Sequence, residues 1–321
     1  MKKLVCYLAQ KHNLSFESRE QYADWKQHVK QKLEEKNKGK GIYLLTYSPI
    51  TLYKNYVKKL QNGESTKVPK GKYISIEIEC IFPGYRSLYA MKKALAIYCV
   101  KNSGVHVEVK GDGSISYDED EGERGIEVVL SVPANAYGMH IKNVCKILNS
   151  WRVRVNKSCG LHAHFDMRKL PYNTALRYAR NIGRQVHLLF QIVPQSRRDN
   201  EYCTNEIVSE RDGSRYAVVN MTAYDRHSTI EVRLHSGTTN PTKIINWIEV
   251  LDLLMHTPLR SECKTWEELL EKINASDELC SYVLSRRTEL TASCGDDDED
   301  TGLPAPRDDD DDSACELSDG E

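Results

Sequence analysis

Thr229–Ser236 reads T-I-E-V-R-L-H-S, in which apolar and polar residues alternate without interruption. Because a β-strand places residues i and i+2 on the same face, this pattern predicts a strand with one aliphatic and one polar face. The predicted polar face carries Glu231, Arg233 and His235. Most solvated strand faces carry lysine, threonine, serine or glutamine, so this choice of side chains points to ligand chemistry.

Two further segments show the same alternation. Tyr73–Cys80 reads Y-I-S-I-E-I-E-C, and Gly160–Asp166 reads G-L-H-A-H-F-D. Their polar faces would present Glu77 and Glu79 on the first strand, and His162, His164 and Asp166 on the second. If these strands share one sheet, carboxylates, imidazoles and a guanidinium converge on one face, a set suited to divalent metal and phosphate.

Helices with one apolar face separate the strands. Helical spacing predicts helices over residues 86–101, 137–151, 173–193, 241–256 and 265–273. Alternating strands interleaved with such helices favour an α+β fold, in which an antiparallel or mixed sheet packs its oily face on helices. The polar face of the sheet would remain open.

The charge of the chain is unevenly distributed. The 321 residues carry a net charge of −1. Residues 292–321 hold 13 acidic residues and one arginine, whereas the remainder holds 44 basic and 33 acidic residues. A basic body with a net charge of +11 suits polyanionic ligands, and the acidic tail is typical of solvated disorder.

Cysteine usage and hydropathy predict a soluble protein with reduced thiols. The ten cysteines are scattered without a C-x-x-C pair, which argues against a structural zinc site and favours reduced thiols of a cytoplasmic protein. The N-terminal apolar run is too short for a signal peptide, and no apolar run is long enough to cross a membrane.

The chain divides by composition into four predicted regions. These are an N-terminal accessory region (1–70), a catalytic domain (71–260), a C-terminal helical extension (261–290) and an acidic tail (291–321).

Each candidate site has a plain structural alternative. Glu77 and Glu79, whose side chains attach ~6.6 Å apart along a strand, would hold metal or form a solvated edge. His162 and His164 would bind metal or phosphate, or form a surface pair. Glu231 next to Arg233 would be a metal ligand beside a phosphate-binding cation, or a simple ion pair.

Other candidate residues lie in less informative contexts. Arg197, Arg198 and Arg215 bracket a polar loop, and Asn220 would offer an amide to substrate. Glu108 and Glu127 are open to both interpretations. The chain has neither the P-loop nor the Rossmann glycine pattern, so those nucleotide sites are not expected.

The order of these motifs resembles the amidoligase family, whose members are carboxylate–amine ligases related to glutamine synthetase and glutamate–cysteine ligase. The resemblance extends over about residues 72–256. It is carried by I-E-I-E, D-G-S, G-I-E-V-V-L-S-V-P, G-L-H-A-H-F-D, S-R-R-D-N-E-Y-C, R-Y-A-V-V-N and T-I-E-V-R-L-H-S-G-T. It implies a glutamine-synthetase-like, curved and mostly antiparallel sheet with an open catalytic face.

The resemblance also implies a set of site residues. It implies metal ligands at Glu77, Glu79, Glu127, His162 and Glu231. It implies nucleotide or acyl-phosphate contacts for His164, Arg198, Arg215 and Arg233, and catalytic roles for His164, Arg198 and Arg233. The segment around Glu127 departs from the family spacing, which is usually E-L-V-S-P.

The implied reaction is ATP-dependent amide formation through an acyl phosphate, with Mg²⁺ or Mn²⁺ as the metal. The expected partners are small-molecule or peptide carboxylate and amine substrates, and a nucleic-acid-linked acid would also suit the basic body. Two alternatives remain from the residues themselves. One is a metal-dependent hydrolase using His162, His164 and Asp166, and the other is a non-catalytic nucleic-acid-binding protein. The sequence identifies neither the substrates nor the oligomeric state.

Overall fold

The computed structural model describes residues 72–292 except 103, 199, 201, 205, 211 and 212. All of these residues lie in the second of two compact units, which spans Ser65–Glu321. The predicted accessory region 1–70 lies outside the described residues, as does the acidic tail beyond Ala292.

Six strands form one sheet. They are β1 (Tyr73–Phe82), β2 (His106–Gly111), β3 (Arg124–Pro133), β4 (Gly160–Asp166), β5 (Val219–Asn220) and β6 (Thr229–Ser236). Their spatial order is β2-β3-β1-β4-β6-β5, and every neighbouring pair is antiparallel. The antiparallel sheet of the predicted α+β fold is therefore confirmed.

The described residues also form eight α-helices. They are α1 (Leu88–Lys101), α2 (Tyr137–Ser150), α3 (Tyr172–Arg184), α4 (Val186–Leu189), α5 (Thr222–His227), α6 (Pro241–His256), α7 (Trp266–Lys272) and α8 (Asp277–Ala292). Single 3-10 turns occupy Phe190–Ile192 and Gln195–Arg197. Helix α6 has the bounds that its sequence pattern predicts, and Asn240 caps it ahead of Pro241.

The helices cover the apolar face of the sheet. Ile76, Ile78 and Val128 on that face are at most 1% exposed. Helix α1 contacts β2, α2 contacts β3, and α6 packs against α2 and α3. The alternation in the strands thus places their aliphatic side chains in the core, as predicted, and directs the polar side chains to the other face.

The helix predicted over residues 173–193 is broken in the structure. Helix α3 ends at Arg184, and the chain continues as the short α4 and a 3-10 turn. The fully buried side chain of Gln185 hydrogen-bonds the backbone of Ser261 and Cys263. Because a continuous helix would remove Gln185 from these contacts, tertiary hydrogen bonds override the helical periodicity here.

A β-bulge in β6 corrects the predicted polar face. Leu161 pairs with His235, whereas Ala163 pairs with Val232, so β6 contains one extra residue between these pairs. The extra residue turns His235 to the face of Leu161, where its ring lies 5.1 Å from that of Trp247. His235 therefore belongs to the helix side, while Glu231 and Arg233 keep the predicted orientation.

No helix among the described residues has the length and apolar character needed to cross a membrane.

Candidate functional site

Strand register brings the predicted side chains together on the polar face of the sheet. Glu77 on β1 lies opposite His162 on β4, and His164 lies opposite Glu231 on β6. Asn220 on β5 pairs with Glu231 as well. Four neighbouring strands thus supply one cluster, which the alternation of each strand alone does not reveal.

Glu77, His164 and Glu231 form the tightest group of potential metal ligands. One ligand atom from each lies within 4.8 Å of the others. His164 Nε2 lies 3.3 Å from a Glu77 oxygen and 3.9 Å from a Glu231 oxygen. This nitrogen is buried and has no hydrogen-bond partner among the described residues. Two carboxylates and an unpartnered imidazole nitrogen fit a divalent cation, with Mn²⁺ better suited to the nitrogen than Mg²⁺.

His162 lies beside this group and links it to Glu79. Its Nδ1 is 3.1 Å from Glu77 Oε2 and 3.7 Å from Glu231 Oε1, and its Nε2 is 3.5 Å from Glu79 Oε1. The resemblance assigns the metal to His162 and the phosphate contact to His164. The geometry gives both histidines access to the carboxylates and places His164 in the closest group.

Arg233 and Asn220 hold the carboxylate of Glu231 from two sides. Asn220 Nδ2 donates to Glu231 Oε2 over 2.7 Å, and Arg233 Nη1 donates to Glu231 Oε1. Arg233 Nε donates to the carbonyl oxygen of Tyr202 over 3.2 Å. Asn220 is therefore placed to orient a carboxylate of the site.

Charge pairing sets the protonation of this cluster. Burial alone would raise the pKa of Glu77, but His164 and His162 outweigh burial and hold that pKa well below its ordinary value. The pKa of Glu231 is likewise lowered, because the same histidines and Arg233 outweigh burial. Burial would lower the pKa of His164, but Glu77 and Glu231 raise it to about 9. The two carboxylates thus favour the cationic form of His164 when no metal is bound.

Glu127 lies on the same face but away from this group. It pairs with Glu79 across β1 and β3, and Lys110 Nζ lies 3.7 Å from its carboxylate. Burial, followed by repulsion from Glu77, raises the pKa of Glu127 to about 7. The same lysine is 3.6 Å from Glu108. Sequence reasoning missed Lys110, although it lies two residues after Glu108 in β2 and therefore on the same face of the strand.

Arg198 and Arg215, the two loop arginines predicted to bind phosphate, lie apart from the carboxylate cluster. Arg215 is exposed, and its guanidinium lies 5.1 Å from the ring of Tyr216, whose ring also lies 5.7 Å from the guanidinium of Arg233. Arg198 is half-buried, and its Nε has no partner among the described residues. In the described part of the chain, neither side chain makes a hydrogen bond or ion pair with the carboxylate cluster.

Arg197, by contrast, is 2% exposed and hydrogen-bonds the backbone of β6. Its Nη2 donates to the carbonyl oxygen of Arg233 over 2.9 Å. The sequence alone does not distinguish Arg197 from Arg198 as the buried residue. The 3-10 turn at Gln195–Arg197 determines that Arg197 points inward.

Asp166 does not join the histidines that share its strand. Both of its carboxylate oxygens bind Arg168, at 2.8 Å from Nε and 2.8 Å from Nη2. A His-x-His-x-Asp metal site would need this carboxylate beside His162 and His164. The arrangement therefore weakens the hydrolase alternative.

The polar face is more enclosed than the predicted open face. His162, His164, Glu231 and Arg233 are each 3–6% exposed. The 3-10 turn at Gln195–Arg197 and helix α5 contact β6. Glu77, with a side chain 22% exposed, is the most accessible of the three residues in the metal group.

Comparison with known proteins supports the resemblance seen in the motifs. Residues 90–212 match the family described as "Putative amidoligase enzyme". This range includes Glu127, both site histidines and Arg198, and it ends before β6. The amidoligase resemblance is thereby confirmed.

The structure is also similar to a solved glutamine synthetase of Plasmodium falciparum. The sequences are 13% identical, the alignment covers 78% of this chain and 77% of that one, and the TM-score is 0.40. A TM-score at that level does not establish a common fold. The comparison with curated proteins finds no match.

Proposed function

Starting from the confirmed amidoligase resemblance of residues 90–212, we propose that this protein is an ATP-dependent carboxylate–amine ligase. It would join a small-molecule or peptide acid to an amine in the presence of Mg²⁺ or Mn²⁺. The observation that carries this proposal is the convergence of Glu77, His164 and Glu231 within 4.8 Å, with Arg233 bound directly to that group.

The proposed metal ligands are Glu77, His164 and Glu231, with Glu79, Glu127 and His162 beside them. When bound, a divalent cation would neutralise the negative charge that develops in phosphoryl transfer. The protonated His164 would release its proton on metal binding, because an imidazole binds metal through a free lone pair.

Arg233 is the proposed phosphate-binding residue. Its Nε and Nη1 are fixed by Tyr202 and Glu231, and its Nη2 donates no hydrogen bond within the described residues. Because this guanidinium is already fixed in place, it loses little further conformational entropy when a phosphate oxygen binds to it. Arg215, stacked beside Tyr216, and Arg198 are further proposed contacts to nucleotide or acyl phosphate.

The proposed chemistry has two steps. A carboxylate oxygen of the acid attacks the γ-phosphorus of ATP, and ADP leaves with the bridging oxygen. The amine then attacks the acyl carbon, phosphate leaves with its electron pair, and the amine nitrogen loses a proton. Fixed charges on the enclosed face would position the reactants and keep water from the acyl phosphate.

A test of this function measures ADP and phosphate release with Mg²⁺-ATP over a panel of acids and amines. We expect release only when one acid and one amine are both present, together with an amide product. Glu77→Gln should lower the rate at least ~100-fold, because it removes a ligand from the metal group. Glu108→Gln is the matched control, since Glu108 lies on the same face but pairs with Lys110.

Two results would contradict the proposal. Turnover by the Glu77 variant at the rate of the parent protein would separate the activity from this site. Hydrolysis that needs no ATP and returns with zinc after chelation would favour the metal-dependent hydrolase instead.

A further inference from the structure

A buried cation lies behind the carboxylate cluster. Arg197 is 2% exposed, and its Nε has no hydrogen-bond partner in the described part of the chain. Burial lowers the pKa of its guanidinium. An arginine buried in this way is costly unless a nearby negative charge compensates it.

The carboxylate that acts electrostatically on Arg197 is that of Glu79, which lies on the other side of the space beside Gly160. A Cβ atom placed on Gly160 would lie 3.1 Å from Glu79 Oε2, 3.1 Å from His162 Nε2 and 3.2 Å from Arg197 Nη2. The three polar atoms therefore surround one point, which only glycine leaves vacant. Glu79 Oε2 also accepts a 2.6 Å hydrogen bond from Gly160 N.

Arg197 also holds the strand that carries Arg233. Its Nη2 donates to the Arg233 carbonyl oxygen at the bulge of β6, where regular pairing is interrupted. A carbonyl at a bulge lacks the regular inter-strand hydrogen bonds of the sheet. The hydrogen bond from Arg197 therefore stabilises the backbone where β6 changes face.

We propose that Arg197, rather than the adjacent Arg198, is a positioning residue of the site. It compensates the buried charge of Glu79 and fixes β6 at Arg233. The assignment of Glu79 to a metal-binding face rests on the proposed function, whereas the coupling between Arg197 and Glu79 does not.

A double-mutant cycle in metal-free buffer tests this coupling. The full chain, Glu79→Gln, Arg197→Met and the double variant would be unfolded in urea with a chelator present. Arg197→Met should lower the midpoint by about 1 M, because it removes the cation nearest the buried carboxylate of Glu79 on the side away from His162. In the Glu79→Gln background the same change should cost less than half as much, because the glutamine amide oxygen keeps the hydrogen bond from Gly160 N without the charge.

Arg198→Met and Arg197→Lys serve as controls. Arg198→Met should leave the midpoint near that of the parent protein, because the Arg198 side chain makes no hydrogen bond or ion pair within the described residues. Arg197→Lys keeps the positive charge, so its urea midpoint should lie closer to that of the parent protein than to that of Arg197→Met. If Arg197→Met fails to fold while the double variant folds, the coupling is supported. If neither variant folds, the urea midpoint of Arg197→Lys is compared in the parent and in the Glu79→Gln background. Equal costs of Arg197→Lys in the two backgrounds would then overturn the inference.

The effect of Mn²⁺ on the melting temperature distinguishes charge compensation by Arg197 from a role in packing alone. We expect Mn²⁺ to raise the melting temperature of Arg197→Met more than that of the parent protein, because a metal beside Glu79 replaces the missing cation. Equal costs of Arg197→Met in both Glu79 backgrounds would overturn the inference. A cycle that shows coupling without any effect of Mn²⁺ would instead count against the metal site of the proposed function.

Discussion

His235 is a buried, uncharged histidine within a strand that carries charged neighbours. Its ring packs on Trp247, and its Nδ1 donates to the carbonyl oxygen of Ser236 over 2.7 Å. Burial lowers the pKa of His235 to about 4, and the neighbouring cations Arg286 and Lys243 contribute in the same direction. The side chain therefore stays neutral in the folded protein through the range in which an unfolded histidine becomes protonated.

This shift predicts a loss of stability in acid. Because the unfolded chain binds the proton near pH 6.5 and the folded chain only near pH 4, the free energy of unfolding falls as pH decreases between these values. Between pH 7 and pH 5 the loss from His235 should be about 2 kcal/mol. Urea unfolding at both pH values would measure it.

His235→Phe keeps a ring against Trp247 and should remove that part of the pH dependence. His256→Gln is the control, since His256 is 43% exposed in its side chain. An unchanged difference between pH 7 and pH 5 in the Phe variant would contradict the assignment.

Helix α6 illustrates how a local signal defines an element. The side chain of Asn240 accepts hydrogen bonds from Thr242 N at 2.9 Å and Lys243 N at 3.4 Å, and Pro241 occupies the first turn. These contacts satisfy backbone donors that a helix leaves unpaired at its start.

Replacing the cap should destabilise the fold measurably. Asn240→Ala should lower the free energy of unfolding by about 1 kcal/mol, because two N–H groups lose their acceptor. Asn246→Ala, on a half-buried part of the same helix, should change it much less, because Asn246 caps no free N–H group. Chemical denaturation compares the two, and equal losses would show that the cap contributes nothing specific.

Strand β6 shows where local patterns stop being sufficient. The alternation of Thr229–Ser236 predicts the strand and the orientation of Glu231 and Arg233. It does not predict the bulge that turns His235 away, because the extra residue is defined only by the pairing with β4. The break after α3 has the same origin, since it depends on hydrogen bonds from Gln185 to Ser261 and Cys263, which are distant in sequence.

At the scale of the whole molecule, the site depends on three strands held in one register. Glu77, His164 and Glu231 come from β1, β4 and β6, which are neighbours in the sheet but distant in sequence. A metal that binds this group binds only the folded chain, so it should stabilise the fold.

Mn²⁺ should therefore raise the melting temperature of the full chain. At about 100 times its dissociation constant it should add about 2.7 kcal/mol to the free energy of unfolding. Glu231→Gln should lose most of this effect, and Glu108→Gln should retain it. Thermal unfolding with and without the ion gives the measurement, and identical shifts in both variants would exclude this group as the metal site.

The sequence alone was enough to predict the strands β1, β4 and β6, the helix α6 and the residue types of a polar ligand-binding face. Strand alternation and capping are local properties, so they can be read from neighbouring residues. Only the tertiary structure decided which residues meet. It grouped His164 with Glu77 and Glu231, turned His235 away, paired Asp166 with Arg168, and brought Arg197 inward in preference to Arg198. Each of these outcomes depends on register, a bulge or a loop contact between distant segments, and no local pattern encodes those distances.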